Sequence, residues 1–171
     1  THPMSQERYD TAVARARQRF GAEAGLPEGR ESYMDHTAAV RAMKPAIDEM
    51  QAGTSAMMAE KFSEAEQHFG RGLKLAPDDY AGLLLMSKCM LAQKRAPEAR
   101  RYAERAEQVY PGEAQAHQVA GLADTALGRH EAAFAEFDAY ERILPGNPNL
   151  AFFKGLSLDR MGRKEAAAQE Y

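Results

Sequence analysis

His130-Glu131-Ala132-Ala133-Phe134 opens as a zinc-hydrolase helix would, with a histidine followed at once by a glutamate. Such a helix holds its metal between two imidazoles one turn apart, and the place of the second is taken by Phe134. One imidazole does not make the site, so His130 reads as a structural ring at the start of a helix. His36, His68 and His117 have no histidine, cysteine or carboxylate at clear metal-ligand spacing and read as surface or interhelix residues. Cys89, flanked by Met86 and Met90, is expected to be a buried apolar thiol, and the sequence identifies no base to make it a nucleophile. As the single cysteine it rules out an internal disulfide and a multi-thiolate metal site. Arg100, Arg101 and Arg105 cluster near Lys94 and Arg95, but Glu98, Glu104 and Glu107 interleave with them, which is the pattern of a solvated helix face. No catalytic residue, metal ligand or cofactor is therefore expected within this chain.

The elements that would have to position any such group are helical. Ala, Glu, Arg, Lys, Met and Leu dominate, Trp is absent, and β-branched residues are too sparse for a large sheet. Twenty-two Lys and Arg against 25 Asp and Glu leave a formal net charge of −3, with no general attraction for nucleic acid or anionic lipid. No stretch has the apolar length of a membrane span, and no signal-peptide pattern is present. The nine methionines are spread along the chain and read as filler at helix crossings.

Three prolines reveal a period. Pro77 in LKLAPDD, Pro111 in EQVYPGE and Pro145 in ERILPGN each stand 34 residues from the next. If each proline fills the thirty-second slot of a repeat, repeats begin at Ala46, Tyr80, Ala114 and Pro148, and other slots test the register. Slot twenty holds Ala65, Ala99, Ala133 and Ala167, and slot eight holds Gly53, Ser87, Gly121 and Gly155. Slot twenty-four holds Phe69, Ala103, Phe137 and Tyr171, so only the second repeat lacks an aromatic ring. Small residues at slots eight and twenty let two antiparallel helices approach closely, and the ring is expected to fill the space between successive hairpins. LGRHEAA and MGRKEAA each place a glycine where a left-handed helix end requires one. The prolines stop the second helix of each pair. Helices are predicted at 46–59, 63–75, 80–92, 97–109, 114–126, 130–143, 148–160 and from 164 onward.

This pattern resembles the tetratricopeptide repeat (TPR) family. The resemblance implies an all-α fold, a right-handed α-α superhelix of about 3.5 repeats over 46–171 with extra N-terminal helices. The repeats would be 46–79, 80–113, 114–147 and a partial 148–171, whose open end is expected to meet more chain, a symmetry mate or another domain. It further implies that the first helix of each hairpin lines a concave groove through slots two, five, nine, twelve and thirteen. The predicted groove residues are Met50, Thr54, Met57 and Met58, then Leu84, Lys88 and Leu91, then Gln115, Gln118, Leu122 and Thr125, and lastly Asn149, Phe152, Leu156, Asp159 and Arg160. That mixture of apolar, amide and charged groups suits an extended peptide or a helix, so proteins or peptides are the expected partners and nucleic acid is not. The alternative is that Met50, Met57 and Leu84 pack against a helix at 32–43 and fill the groove from within.

Upstream, Tyr9, Val13, Ala16 and Phe20 recur at helical spacing from Ser5 onward and Gly21 is a plausible stop, giving a helix within 1–20. The Gly-rich 21–30 reads as a linker. Ser32 and Asp35 offer a capping signature for a helix that runs to about Met43 before Pro45, so that 31–45 forms a non-standard cap on the array. The segment THPMSQERYDTAVARARQRFG also resembles the close of the HExxH zinc metallopeptidases that carry C-terminal TPRs, those of the β-barrel assembly-enhancing type, through Thr1, His2, Pro3 and Arg8 opening a helix. This implies a peptidase domain ending near Phe20, zinc bound upstream of this chain, His2 near that metal, and packing of the array against the peptidase. It also implies a bacterial periplasmic or envelope location; otherwise the chain is expected in the cytoplasm. Both ends are expected to be cut from a longer protein, which makes the chain a non-catalytic scaffold beside a zinc peptidase. A free-standing adaptor is the alternative.

Overall fold

The computed structural model describes residues 5–23 and 29–171, and among these every regular element is helical. The chain divides into two units, Thr1–Arg41 and Ala42–Tyr171.

In the first unit α1 spans Ser5–Phe20 and runs into a 3-10 turn at Gly21–Glu23. The remainder of the expected linker, apart from its last two residues, lies outside the described residues, as do Thr1, His2 and Pro3. The helix expected from Ser32 to Met43 is two helices, α2 at Arg30–His36 and α3 at Ala38–Ala42. Ser32 does not cap it, because Gly29, left-handed at φ 58°, is the residue before the first turn and Ser32 lies inside the helix beside His36.

In the second unit eight helices follow: α4 Lys44–Met58, α5 Phe62–Leu75, α6 Tyr80–Ala92, α7 Ala96–Val109, α8 Ala114–Ala126, α9 His130–Ile143, α10 Pro148–Arg160 and α11 Lys164–Glu170. Each lies within two residues of its predicted range. Pro45 sits in the first turn of α4, where its missing N–H costs nothing. Antiparallel pairs α4/α5, α6/α7, α8/α9 and α10/α11 stack in order, each second helix also packing on the next first helix.

Within a pair the decisive contact is a ring laid on a glycine. A Cβ on Gly53 would lie 2.5 Å from the Phe69 ring, one on Gly121 2.5 Å from Phe137, and one on Gly155 2.7 Å from Tyr171. Phe69 and Phe137 thus fill the interior of their own hairpins, which corrects the expectation that the ring lies between hairpins, while Tyr171 covers its glycine from the surface at 67% exposed. Phe137 reaches the next hairpin as well, since its ring also stacks on Phe153 of α10 with centroids 5.4 Å apart. In the second pair the missing ring is matched across the interface. Where Ala103 replaces the aromatic, Ser87 replaces glycine, and its buried hydroxyl donates to the Ala99 carbonyl at 2.7 Å.

The hairpin turns repeat with the same fidelity. Glu60, Lys94, Gly128 and Gly162 share one slot and all have φ between 58° and 76°. The amides of Lys61, Arg95, Arg129 and Arg163 then donate to the carbonyls of Ala56, Met90, Asp124 and Leu158, each at 2.9 Å, closing a Schellman turn in every repeat. These four cationic residues are also the N-caps of the second helices, and Lys61 and Arg95 reach the acidic first turn there, Glu64 at 3.5 Å and Glu98 at 3.0 Å.

Two measurements test this packing. Phe137→Ala should cost about 3–5 kcal/mol in urea denaturation, and adding Gly121→Ser, which copies Ser87 and Ala103, should recover part of the loss. Gly128→Ala should cost about 1–2 kcal/mol, whereas Lys94→Gly should cost nothing, because its slot already demands the left-handed conformation.

Candidate functional site

The first helices, α4, α6 and α8, follow one another along one side of the stack. Between α4 and α6 they leave an open, mainly apolar depression of about 670 Å³, walled by Ile47, Gln51 and Thr54 on one side and by Asp79, Ala81 and Leu85 on the other. Its floor is Met50. Cβ atoms on Gly72 and Gly82 would lie 2.6 and 2.4 Å from the Met50 thioether methyl, so the two glycines form a socket that this methyl fills.

The predicted groove residues divide by depth. Met50 and Leu84 are buried in the core, with Leu84 only 5% exposed, so Leu84 supports the surface rather than offering one. Met57 and Leu91 are half-buried against the same core. Thr54 and Thr125 spend their hydroxyls on the carbonyls of Met50 and Gly121, each at 2.8 Å. Gln118, Leu122 and Leu156 are half-buried, and Met58, Lys88, Gln115, Asn149, Asp159 and Arg160 are exposed. Phe152 is 55% exposed, with its ring against Phe153 and Tyr171. Ile47 fills slot two, a slot assigned to the groove without naming this residue, whereas Gln51 and Leu85, in slot six, were not expected. Their signal was present, since slots two and six lie on the same helical face as slot nine. His2 lies outside the described residues.

A second cluster lies where the α6/α7 hairpin meets α8/α9, and it overturns one expectation. Arg100 is not on a solvated face. Its guanidinium reaches Asp124 Oδ2 at 3.1 Å, Glu136 Oε1 at 2.8 Å and Glu107 Oε1 at 3.6 Å. His117 is an interhelix residue, as expected, and carboxylates distant in sequence meet it: its Nδ1 stands 2.7 Å from Glu136 Oε2 and 3.9 Å from Glu107 Oε1. The first hairpin carries the same pair with roles exchanged, Glu49 and His68 at 2.7 Å in slots four and twenty-three, with Arg71 in attendance.

Three carboxylates share Arg100, and two of them feel the shortage. Burial, and then the neighbouring Glu136, hold Glu107 above the ordinary carboxylate range. Burial likewise raises Asp124, against the pull of Arg100. Glu49 moves the other way, lowered by hydrogen bonds from Arg71 and His68. Cys89 is buried, donates to the Phe62 carbonyl at 3.4 Å, and is raised by burial, so its thiol is poorly nucleophilic.

Residues 56–122 match the family model described as tetratricopeptide repeat. No curated protein matches the chain. Among solved structures it is similar to MamA, residues 41 to the end, from Desulfovibrio magneticus RS-1, with 20% identity, TM-score 0.70, and coverage of 96% of this chain and 89% of that one. It is similar to the Arabidopsis OM64 TPR domain at 16% identity and TM-score 0.67, over 69% of this chain and 98% of that one. It is also similar to the first TPR of Spaghetti (RPAP3) bound to the HSP90 peptide SRMEEVD, at 16% identity and TM-score 0.61, covering 74% and 92%. Likenesses at this identity establish the TPR fold. No helix among the described residues is long and apolar enough to cross a membrane.

The charge cluster predicts a pH dependence. Glu107 binds more proton folded than unfolded above its ordinary 4.5, so its contribution favours the folded state at low pH and is lost as pH rises through that window. Glu107→Gln should flatten this part of the stability profile, measured by denaturation in chelator-treated buffer. Arg100→Ala should cost about 3–5 kcal/mol at neutral pH by leaving buried carboxylates uncompensated, with part of the loss regained on acidification.

Proposed function

We propose that the TPR solenoid of Ala42–Tyr171 is a protein-interaction scaffold that takes an apolar segment of a partner, as extended peptide or helix, into the depression between α4 and α6. The observation that carries this reading is the wall itself. Ile47 stands 46% exposed beside Leu85 over a Met50 floor whose methyl is seated against two glycines, an apolar surface formed before a partner arrives. The similar Spaghetti structure holds a peptide with an acidic tail. Here Met50, Thr54 and Leu85 occupy the groove, without the run of Lys, Arg and Asn that would clamp a terminal carboxylate, which favours an apolar partner.

On the same reading the scaffold presents partners to a zinc metallopeptidase that precedes it in a longer protein of the bacterial periplasm. Support comes from the likeness of residues 1–21 to the close of such peptidases, and zinc would be held upstream of Thr1. Reading the gene upstream decides this part: an HExxH motif is expected there, and an open reading frame starting near Thr1 would make the chain a free-standing adaptor.

The groove itself is tested on a peptide array. Apolar peptides should bind, and Leu85→Arg should weaken them about tenfold or more while circular dichroism stays unchanged. Selection of acidic C-terminal peptides, or binding indifferent to Leu85→Arg, would contradict the reading.

A further inference from the structure

The repeat makes the hairpin junctions comparable slot by slot. At the junction of the third and fourth hairpins, slots twenty-eight and twenty-three carry Glu141 and Glu170, and the ammonium of Lys154 sits between them at 2.8 and 3.2 Å. Lys154 is 7% exposed, so this is a buried cation held by two carboxylates from adjacent hairpins, with Asp138 Oδ1 further off at 3.8 Å. At the junction of the second and third hairpins the same slots carry Glu107 and Glu136, but the slot of Lys154 holds Ala120. What faces that carboxylate pair instead is His117 Nδ1.

Arg100 does not replace the missing ammonium. It approaches from α7, spends its short contacts on Asp124 and on Glu136 Oε1, and leaves Glu107 Oε1 buried without a hydrogen bond. One guanidinium against three carboxylates leaves the junction two negative charges in excess, apart from the largely exposed Arg129 guanidinium 3.7 Å from Asp124 Oδ1. The ligand atoms of Glu107, His117 and Glu136 all lie within 4.8 Å of one another, and each residue is half-buried. One imidazole nitrogen and two carboxylate oxygens form a donor set for zinc, which takes such ligands at about 2 Å and accepts a water as its fourth. Arg100, bonded to the other oxygen of Glu136, would orient that ligand from the outer shell.

We infer that Glu107, His117 and Glu136 form a zinc-binding site that staples the second hairpin to the third, performing between these repeats what the Lys154 ammonium performs between the next two. Glu49 and His68 provide an internal control, since they form the same imidazole–carboxylate pair with Arg71 beside them instead of a second carboxylate.

The experiment titrates the chelator-treated chain with zinc chloride, reading heat by calorimetry and unfolding by circular dichroism. One equivalent should bind and raise the unfolding temperature, while magnesium and calcium, which prefer all-oxygen sites, should not. Glu107→Gln and His117→Gln, each confirmed as folded, should weaken zinc by roughly tenfold or more, and His68→Gln should leave it unchanged. Absence of binding, or binding that survives both Glu107→Gln and His117→Gln, would overturn the site. Loss of binding in His68→Gln alone would overturn it equally, by placing the metal in the first hairpin.

Discussion

Everything in the array depends on how closely two antiparallel helices can approach. Phe69, Phe137 and Tyr171 lie on glycines that leave no room for a Cβ, and the second hairpin meets the same limit with a serine and an alanine. The total side-chain volume at that crossing is what the hairpin tolerates, and the two slots share it. Once the crossing is fixed, every other slot acquires a fixed direction. First helices then turn one face to the open side, and second helices carry the hairpin-to-hairpin contacts.

Much of the buried polar chemistry gathers at those contacts, beside the Glu49–His68 pair inside the first hairpin. The first junction has Leu73 and Tyr102 in the slots that hold glutamates further along, and its ion pair, Arg95 with Glu66 at 2.9 Å, stays partly exposed. The second and third junctions bury carboxylates and must supply cations, from Arg100 in one case and Lys154 in the other. Buried charges of this kind add little net stability, since desolvation offsets much of the attraction. They do penalise any stacking that separates them, and so fix which hairpin face meets which.

The fold was legible because its signal is redundant. Three prolines, four alanines and four small residues report the same 34-residue spacing, and the helix limits followed from them. The site was legible only in part. The face of each first helix could be assigned, but depth could not: Met50 and Leu84 turned inward because Gly72, Gly82 and the neighbouring core receive them, and those partners are distant in sequence. The pairing of His117 with Glu136 escaped notice for a related reason. A separation of 19 residues means nothing along one helix, and becomes a contact only when a hairpin places slot four opposite slot twenty-three. The capping reading of Ser32 failed because it lay outside the repeat, where a single local motif had no second slot to check it.

The chain contains two isoleucines, and they stand on different layers: Ile47 on α4 at the apolar depression, and Ile143, 38% exposed, near the end of α9. A methyl spectrum of isoleucine-labelled protein therefore reports separately on the groove and on the second helices. With an array-selected apolar peptide added, the account predicts that the Ile47 signal shifts in saturable fashion while Ile143 stays in place. A shift of Ile143 with Ile47 unmoved would show that partners dock on the other layer, and the groove account would be wrong.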